Sequence, residues 1–357
     1  MHRFPPPKVD LKNLAVSELR DLIGSLEKEG YRTPQLLKWL YSIGVRSFDE
    51  MTNLSKKFRE ELNQISLISE LSPLRTEEAK DGTKKFLFQL NDGNRIESVL
   101  ISEKERLTLC VSTQAGCAMG CRFCLTGKKG VKRNLAASEI LNQVLAARRT
   151  LPQETSITNI VLMGMGEPLA NYENTLKALS LMACPDAFKF SSRRITLSTV
   201  GLVPEIERLA EEKITFQLAI SLNATNDETR SRIMPINRRY PLKELLSACR
   251  RFPLKPRTRI TFEYVLLEGV NDSLKDAKEL VKILRGIPSK VNLIPLNEAP
   301  AIPFKRPSEE KVRAFQEILM ESGLTAIVRA SKGSEISAAC GQLEAKGQAF
   351  DTMPQIT

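Results

Sequence analysis

From about residue 108 the chain repeats one pattern: a short apolar run, a polar or glycine-bearing loop, then a stretch with apolar residues three and four apart. The apolar runs fall at 109–112, 160–163, 195–199, 216–222, 260–267 and 291–295, and a last one at 326–329 can add a strand. Amphipathic stretches between them cover 138–149, 173–183, 203–212, 242–251, 273–285 and 308–322. This alternation predicts parallel strands joined by right-handed helical crossovers. Six units are two short of a closed eight-fold barrel, so the expected fold class is α/β, a partial (βα)6 barrel. In such sheets the chemistry gathers at the carboxyl ends of the strands.

Upstream the pattern differs. Residues 9 to about 80 are lysine-rich, and Leu36, Leu37, Trp39, Leu40, Phe48, Met51 and Leu54 keep helical spacing, which predicts a small helical module. Residues 84–102 alternate apolar and polar around Asn91-Asp92-Gly93. This predicts a hairpin with strands at 85–90 and 95–101. The expected division is therefore a helical accessory module at 1–80, a β-hairpin extension at 81–107, a catalytic barrel domain at 108–345 and a tail at 346–357.

Composition changes this picture in two respects. Of 357 residues, 53 are Lys or Arg and 42 are Asp or Glu, a formal net charge of +11. An enzyme of small neutral metabolites has no use for that excess, whereas a polyanion such as nucleic acid does. No apolar segment follows the amino terminus and no stretch reaches membrane-spanning length, so a cytoplasmic protein without a membrane partner is expected. Thiols stay reduced there, and the seven cysteines call for a chemical explanation.

Cys117, Cys121 and Cys124 supply it. They form a CxxxCxxC loop just after the first barrel run. Zinc would want a fourth ligand, and the only histidine, His2, is near the amino terminus, which disfavours a Cys₃His site; another cysteine completing a Cys₄ site stays open. A four-iron cluster held by three cysteines leaves one iron open to the amino and carboxylate groups of S-adenosylmethionine. Reductive cleavage of the sulfonium then yields a 5′-deoxyadenosyl radical.

With this motif the chain resembles the radical S-adenosylmethionine superfamily. Met163-Gly-Met-Gly-Glu-Pro-Leu169, Leu197-Ser-Thr-Val-Gly201, Ile233-Met-Pro-Ile-Asn237 and Ser337-Ala-Ala-Cys-Gly-Gln-Leu343 are similar to segments of its dual-specificity adenine-C2 RNA methyltransferases. The resemblance runs from the helical module to Leu343. It departs at Ser221-Leu222-Asn223, where the family often has histidine last. An imidazole therefore does no chemistry there in this protein.

The resemblance implies one 4Fe–4S cluster, two molecules of S-adenosylmethionine per turnover, and 23S ribosomal RNA and transfer RNA as substrates. It implies that Cys340 is methylated first, that its methyl group becomes a methylene radical and that this adds to adenine C2. Glu97 is then the base that removes the C2 proton, and Cys110 attacks the sulfur of Cys340 to form a transient disulfide and release the methylated base. Gly166, Glu167, Ser198, Ser221, Leu222, Asn223 and Asn297 match cofactor-binding positions. An electron donor such as flavodoxin or ferredoxin and a monomeric state complete the expectation. Taken alone, Cys110 reads as a small core residue, Glu97 as a solvated strand residue, and Cys184 and Cys249 as packing.

Three other readings stand beside it. The adenine-C8 methyltransferase that confers antibiotic resistance shares both the three-cysteine loop and the Cys110–Cys340 pair. A glycyl-radical activator or cofactor-biosynthesis enzyme would have the cluster loop but no use for Cys110 and Cys340. A zinc-stabilised RNA-binding protein would need no radical chemistry. For RNA contact the sequence offers Lys128-Lys129, Lys132-Arg133, Arg193-Arg194, Arg238-Arg239 and Arg250-Arg251, with Lys255, Arg257 and Arg259. Aromatic residues are only 6%, so recognition by RNA shape with a flipped adenine is expected.

Overall fold

The computed structural model describes residues 7–212 and 216–344. His2 and the tail at 346–357 lie outside the described residues. One ten-stranded sheet organises the molecule, and its strands lie side by side in sequence order. They are β1 (Pro73–Glu78), β2 (Lys84–Gln89), β3 (Arg95–Glu103), β4 (Arg106–Cys110), β5 (Asn159–Leu162), β6 (Ile195–Thr199), β7 (Gln217–Ser221), β8 (Ile260–Leu266), β9 (Ser289–Pro295) and β10 (Ala326–Val328). Strands β4 to β10 pair in parallel, whereas β1 to β4 form an antiparallel meander. The sheet ends at β1 and β10 and does not close, as a partial barrel requires.

Helices cover the outer face of the parallel half. In chain order the helices are α1 (Val16–Ser25), α2 (Arg32–Leu37), α3 (Lys56–Ile65), α4 (Ala137–Arg149), α5 (Tyr172–Ala183), α6 (Val203–Ala210), α7 (Asp227–Ile233), α8 (Leu242–Arg251), α9 (Leu274–Ile283) and α10 (Glu309–Glu321). Side-chain caps set several of their starts: Ser55, Asn226, Ser273 and Ser308 each accept a first-turn backbone N–H. The predicted barrel strands and crossover helices fall within a few residues of the observed ones.

Two elements depart from the sequence reading. Residues 73–78, expected inside the helical module, form edge strand β1. Its glutamates face lysines of β2 across the register, with Glu77 opposite Lys85 and Glu78 opposite Lys84. Both pairs are close ion pairs, at 3.0 and 3.4 Å. Charge complementarity across strands thus draws a polar segment into the sheet. Helix α7 was not anticipated either, because its seven charge-rich residues show little apolar periodicity.

The hairpin turn behaves as the sequence predicts. Gly93 has φ +82°, and the Leu90 N–H donates to the Asn94 carbonyl at 2.8 Å. The helical module is docked on α4 and α5. Lys12, fully buried, donates to Asn142 Oδ1 at 2.9 Å and to the Ser69 carbonyl at 2.8 Å. Tyr41 packs against Phe188 in a tilted pair with ring centroids 5.1 Å apart. Apolar residues of module and barrel form one continuous core.

Candidate active site

The site begins with a ribbon. Gln114–Cys117 pairs antiparallel with Gly130–Asn134, and the cysteine loop hangs between these short strands. Gly116 is required there: its φ is +87°, and a Cβ would stand 2.0 Å from the Gly130 carbonyl oxygen. Cys117 ends the first strand, Cys121 is buried, and the Cys124 N–H donates to the Cys121 carbonyl at 3.1 Å before a helical turn.

All three cysteines line one cavity at the carboxyl ends of the parallel strands. Gly166, Glu167, Ser198, Ser221, Asn223, Asn297 and Cys340 line it too. Burial pushes the Cys117 thiol up to about 12 and the Cys121 thiol well above its ordinary value, each raised further by its sister cysteines. Thiols so crowded resist ionisation until a cationic centre stabilises the thiolates. Three soft sulfur donors in one loop fit an iron–sulfur cluster.

Glu167 braces two strand ends while facing the cavity. Its Oε1 accepts the Leu169 N–H at 3.0 Å and its Oε2 the Val200 N–H at 2.8 Å. Burial outweighs these bonds and raises its carboxyl to about 7. A ligand ammonium would return it to the charged form, and a carboxylate has lone pairs beyond the two in use. The missing side chains of Gly164 and Gly166, which both line the cavity, also make room for protein: a Cβ on Gly164 would meet the Val111 carbonyl oxygen at 2.7 Å, and one on Gly166 the Gln114 backbone nitrogen at 2.7 Å.

Asn223 also acts through structure. It adopts φ +59°, a left-handed conformation in which asparagine is favoured. Its Oδ1 accepts the Val265 N–H at 2.7 Å, so the side chain ties β7 to β8. Leu222, expected at the cofactor, has its side chain in the core and does not line the cavity. Its carbonyl accepts from Arg230 Nε at 3.0 Å.

Arg230 escaped the sequence reading, because one arginine in a polar helix looks like a solvated residue. It is fully buried and also bonds the Val200 carbonyl at 2.7 Å, the Ser221 carbonyl at 3.2 Å and Asn237 Oδ1 at 3.0 Å. One guanidinium thus gathers the loops after β6 and β7. Its anchor Asn237 lies in the Ile233–Asn237 motif, the only hint in the sequence. Glu263 was missed too, a cavity-lining acid inside the apolar run of β8, raised to about 7 by burial.

Glu97 and Cys110 occupy the antiparallel half. Val99 stands opposite Cys110 in the register, and Glu97 is two residues from Val99, so Glu97 and Cys110 share one face of the sheet. Lys85 shares it, opposite Val99, with Nζ 3.5 Å from Glu97 Oε1. Neither Glu97 nor Cys110 lines the cysteine cavity itself. What joins them to it is the segment carrying Cys340.

That segment crosses from one half to the other. The Gly341 carbonyl accepts the Leu125 N–H at 2.8 Å, and the Leu343 carbonyl accepts Thr126 Oγ1 at 2.7 Å, both from the cysteine loop. Asn297 Nδ2 donates to the Cys340 carbonyl at 3.2 Å. On the antiparallel side, Lys85 Nζ donates to the Ile336 carbonyl at 2.6 Å and the Glu344 N–H to Glu97 Oε2 at 2.9 Å. Cys340 is accessible through the cavity, while the surrounding walls desolvate and raise its thiol. Cys110 is buried, its thiol raised by burial and then by the charge of Cys340. All seven cysteines are free thiols, with Cys249 in the core and Cys184 packed against it.

Several basic residues expected at RNA have internal partners. Arg133 pairs with Asp92 and Glu139, Arg251 with Glu207, and Lys129 Nζ with the Glu344 carbonyl. Among the described residues no helix is long and apolar enough to cross a membrane.

An open (βα) barrel with a three-thiol loop at its mouth defines a radical SAM enzyme, and the radical SAM superfamily model matches residues 111–281. The model for the ribosomal RNA large subunit methyltransferase N-terminal domain matches residues 9–68. The dual-specificity RNA methyltransferase RlmN of Geotalea uraniireducens is 54% identical over 95% of this chain and 97% of its own. That of Geobacter sulfurreducens is 54% identical over 95% of this chain and 92% of its own. A radical SAM methyltransferase from Sphaerobacter thermophilus has the same fold, with a TM-score of 0.88 and 47% identity over 95% of this chain and all of that one. The chain belongs to the dual-specificity RNA methyltransferase family of radical SAM enzymes.

Proposed function

We propose that this enzyme methylates C2 of adenine in 23S ribosomal RNA and in transfer RNA, and that Cys340 carries the methyl group to the base. The observation that supports this reading is the Cys340 segment, bonded to the cysteine loop at one end and to Glu97 at the other. Adenine C2 lies between two ring nitrogens and is a poor nucleophile, so a displacement by the base on a sulfonium is unsuited to it.

Cys117, Cys121 and Cys124 would hold a 4Fe–4S cluster, which would supply the electron for reductive cleavage of S-adenosylmethionine. Glu167 offers carboxylate lone pairs to its ammonium, while Ser198, Ser221 and Asn297 surround the remaining polar groups. Cys340 takes its methyl in an ordinary displacement at sulfur, then presents it for hydrogen abstraction and joins C2 through that carbon. The adduct radical gives one electron back to the one-electron couple that cleaved the cofactor, and Glu97 accepts the C2 proton. Cys110 attacks the Cys340 sulfur, the leaving carbon takes up a proton to complete the methyl group, and the resulting disulfide releases the methylated base. In this reading the helical module at 1–80 helps to position RNA, the barrel domain at 108–345 carries catalysis, and a one-electron donor such as flavodoxin or ferredoxin serves a monomer.

The test is nucleoside mass spectrometry of protein-free ribosomal RNA incubated with the reconstituted enzyme, methyl-labelled S-adenosylmethionine and reductant. Labelled 2-methyladenosine is the expected product. Labelled 8-methyladenosine would overturn the position, and 5′-deoxyadenosine without methylated RNA would overturn the substrate.

A further inference from the structure

A second concavity opens beside the cysteine cavity. Arg122, Arg232, Phe304 and Lys305 line it, with Glu268 and Val270 at its edge. Four loops meet there. Arg122 follows Cys121 in the cysteine loop, Arg232 is in the last turn of α7, Glu268 and Val270 follow β8, and Phe304 and Lys305 follow β9. The groove therefore lies on the mouth of the barrel.

Packing ties it to the site. Val270 and Phe304 rest on a small apolar cluster that contains Cys121, Leu125 and Met234, and Met234 also lines the cysteine cavity. The Arg122 N–H donates to the Ile233 carbonyl at 2.9 Å, which fixes the cysteine loop to α7. One apolar cluster therefore contributes to the walls of both groove and cavity.

Its electrostatics are unusual for this molecule. Arg122, Arg232 and Lys305 are exposed. Among the described residues none of these side chains makes an ion pair or hydrogen bond, in contrast to Arg133 and Arg251. The recorded contact of Arg122 is with the Phe304 ring, its guanidinium carbon 5.9 Å from the centroid. The one carboxylate lining the groove, Glu268, is also 4.0 Å from Lys311. Three cations against one shared carboxylate leave the groove net positive, and an anion entering it relieves their repulsion. Beside them the half-buried Phe304 offers an aromatic face, with an arginine nearby to continue the stack. An acidic peptide would answer the charge and leave this face without a planar partner.

We propose that the groove binds a nucleotide flanking the target adenine, its phosphates held by Arg232 and Lys305 and its base stacked on Phe304. The inference deepens the RNA methyltransferase reading above and rests on it. Single-stranded RNA can then place one base in the cysteine cavity and its neighbour in the groove.

The experiment measures binding of reconstituted full-length enzyme to a fluorescent RNA hairpin with an unpaired adenine in its loop, over a range of salt. The double variant Arg232→Glu/Lys305→Glu is expected to bind about tenfold more weakly or worse, with a salt slope shallower by about 1.4, roughly 0.7 per lost phosphate contact to a single strand. Phe304→Leu is expected to weaken binding about fivefold or more with the slope unchanged, because stacking is not ionic. Lys275→Glu/Lys278→Glu, on the outer helix α9, is expected to bind like wild type. Wild-type affinity and slope in the groove variants would overturn the groove while leaving the RNA reading intact. Failure of the wild-type enzyme to bind the hairpin would overturn both, and equal competition by poly-glutamate would overturn base recognition in the groove.

Discussion

The two halves of the sheet hold their chemistry-bearing side chains in different ways. In the parallel half, β4 to β10, polar groups stand beyond the strand ends on loops, and the cavity they line is shaped by backbone hydrogen bonds to Glu167, Asn223 and Arg230. In the antiparallel half, Glu97 on β3 and Cys110 on β4, the strand that the two halves share, stand on the strand faces, buried, in positions that a core residue would otherwise take. The difference follows from connectivity. Crossover connections leave every carboxyl-end loop free to vary, whereas a meander offers only its faces. A reaction using both halves needs an element that reaches across, and the Cys340 segment is bonded to each.

The largest predicted effect separates the halves. Cys117→Ala should drop iron to background and abolish 5′-deoxyadenosine formation, measured by iron assay and chromatography. Glu97→Gln should keep iron and deoxyadenosine while lowering RNA methylation about 10²- to 10⁴-fold, the usual span for loss of a general base. If Glu97→Gln also lost iron, the division between the halves would be wrong.

A smaller effect is expected at Arg230. Arg230→Met should leave several buried carbonyls without a donor and cost about 3 kcal/mol, read as a lower denaturant midpoint. The same variant should weaken S-adenosylmethionine binding, because the loops after β6 and β7 lose their common anchor. Smaller again is Asn297→Ala. It removes a donor to the Cys340 carbonyl, worth about 1 kcal/mol, and should slow methylation of Cys340 roughly fivefold by intact-protein mass spectrometry with iron content unchanged.

The same contrast explains what the chain's residues reveal on inspection. The parallel strands are legible because each is a short apolar run between helical stretches, and the cysteine loop because its spacing is chemically specific. Strand β1 is not, since its pairing depends on Lys84 and Lys85, which only the folded register brings opposite Glu78 and Glu77. Arg230 and Glu263 are invisible for a related reason: their burial is tertiary, and alone each is an ordinary charged residue. Cys110 and Glu97 became candidates only through family resemblance, because a thiol and a carboxylate on strand faces have no local signature. For the glycines at 164 and 166 the residues are legible, whereas the close approach of the chain to itself there is tertiary and is not.

The central claim is that Cys340 passes a carbon from the parallel half to a base resolved by Cys110. It is tested most directly with reconstituted Cys110→Ala, labelled S-adenosylmethionine, reductant and RNA, followed by peptide mapping. The account predicts full iron content, a methylated Cys340 and a covalent protein–RNA adduct mapped to Cys340, with no free methylated adenosine. Release of free 2-methyladenosine by this variant at the wild-type rate would contradict it.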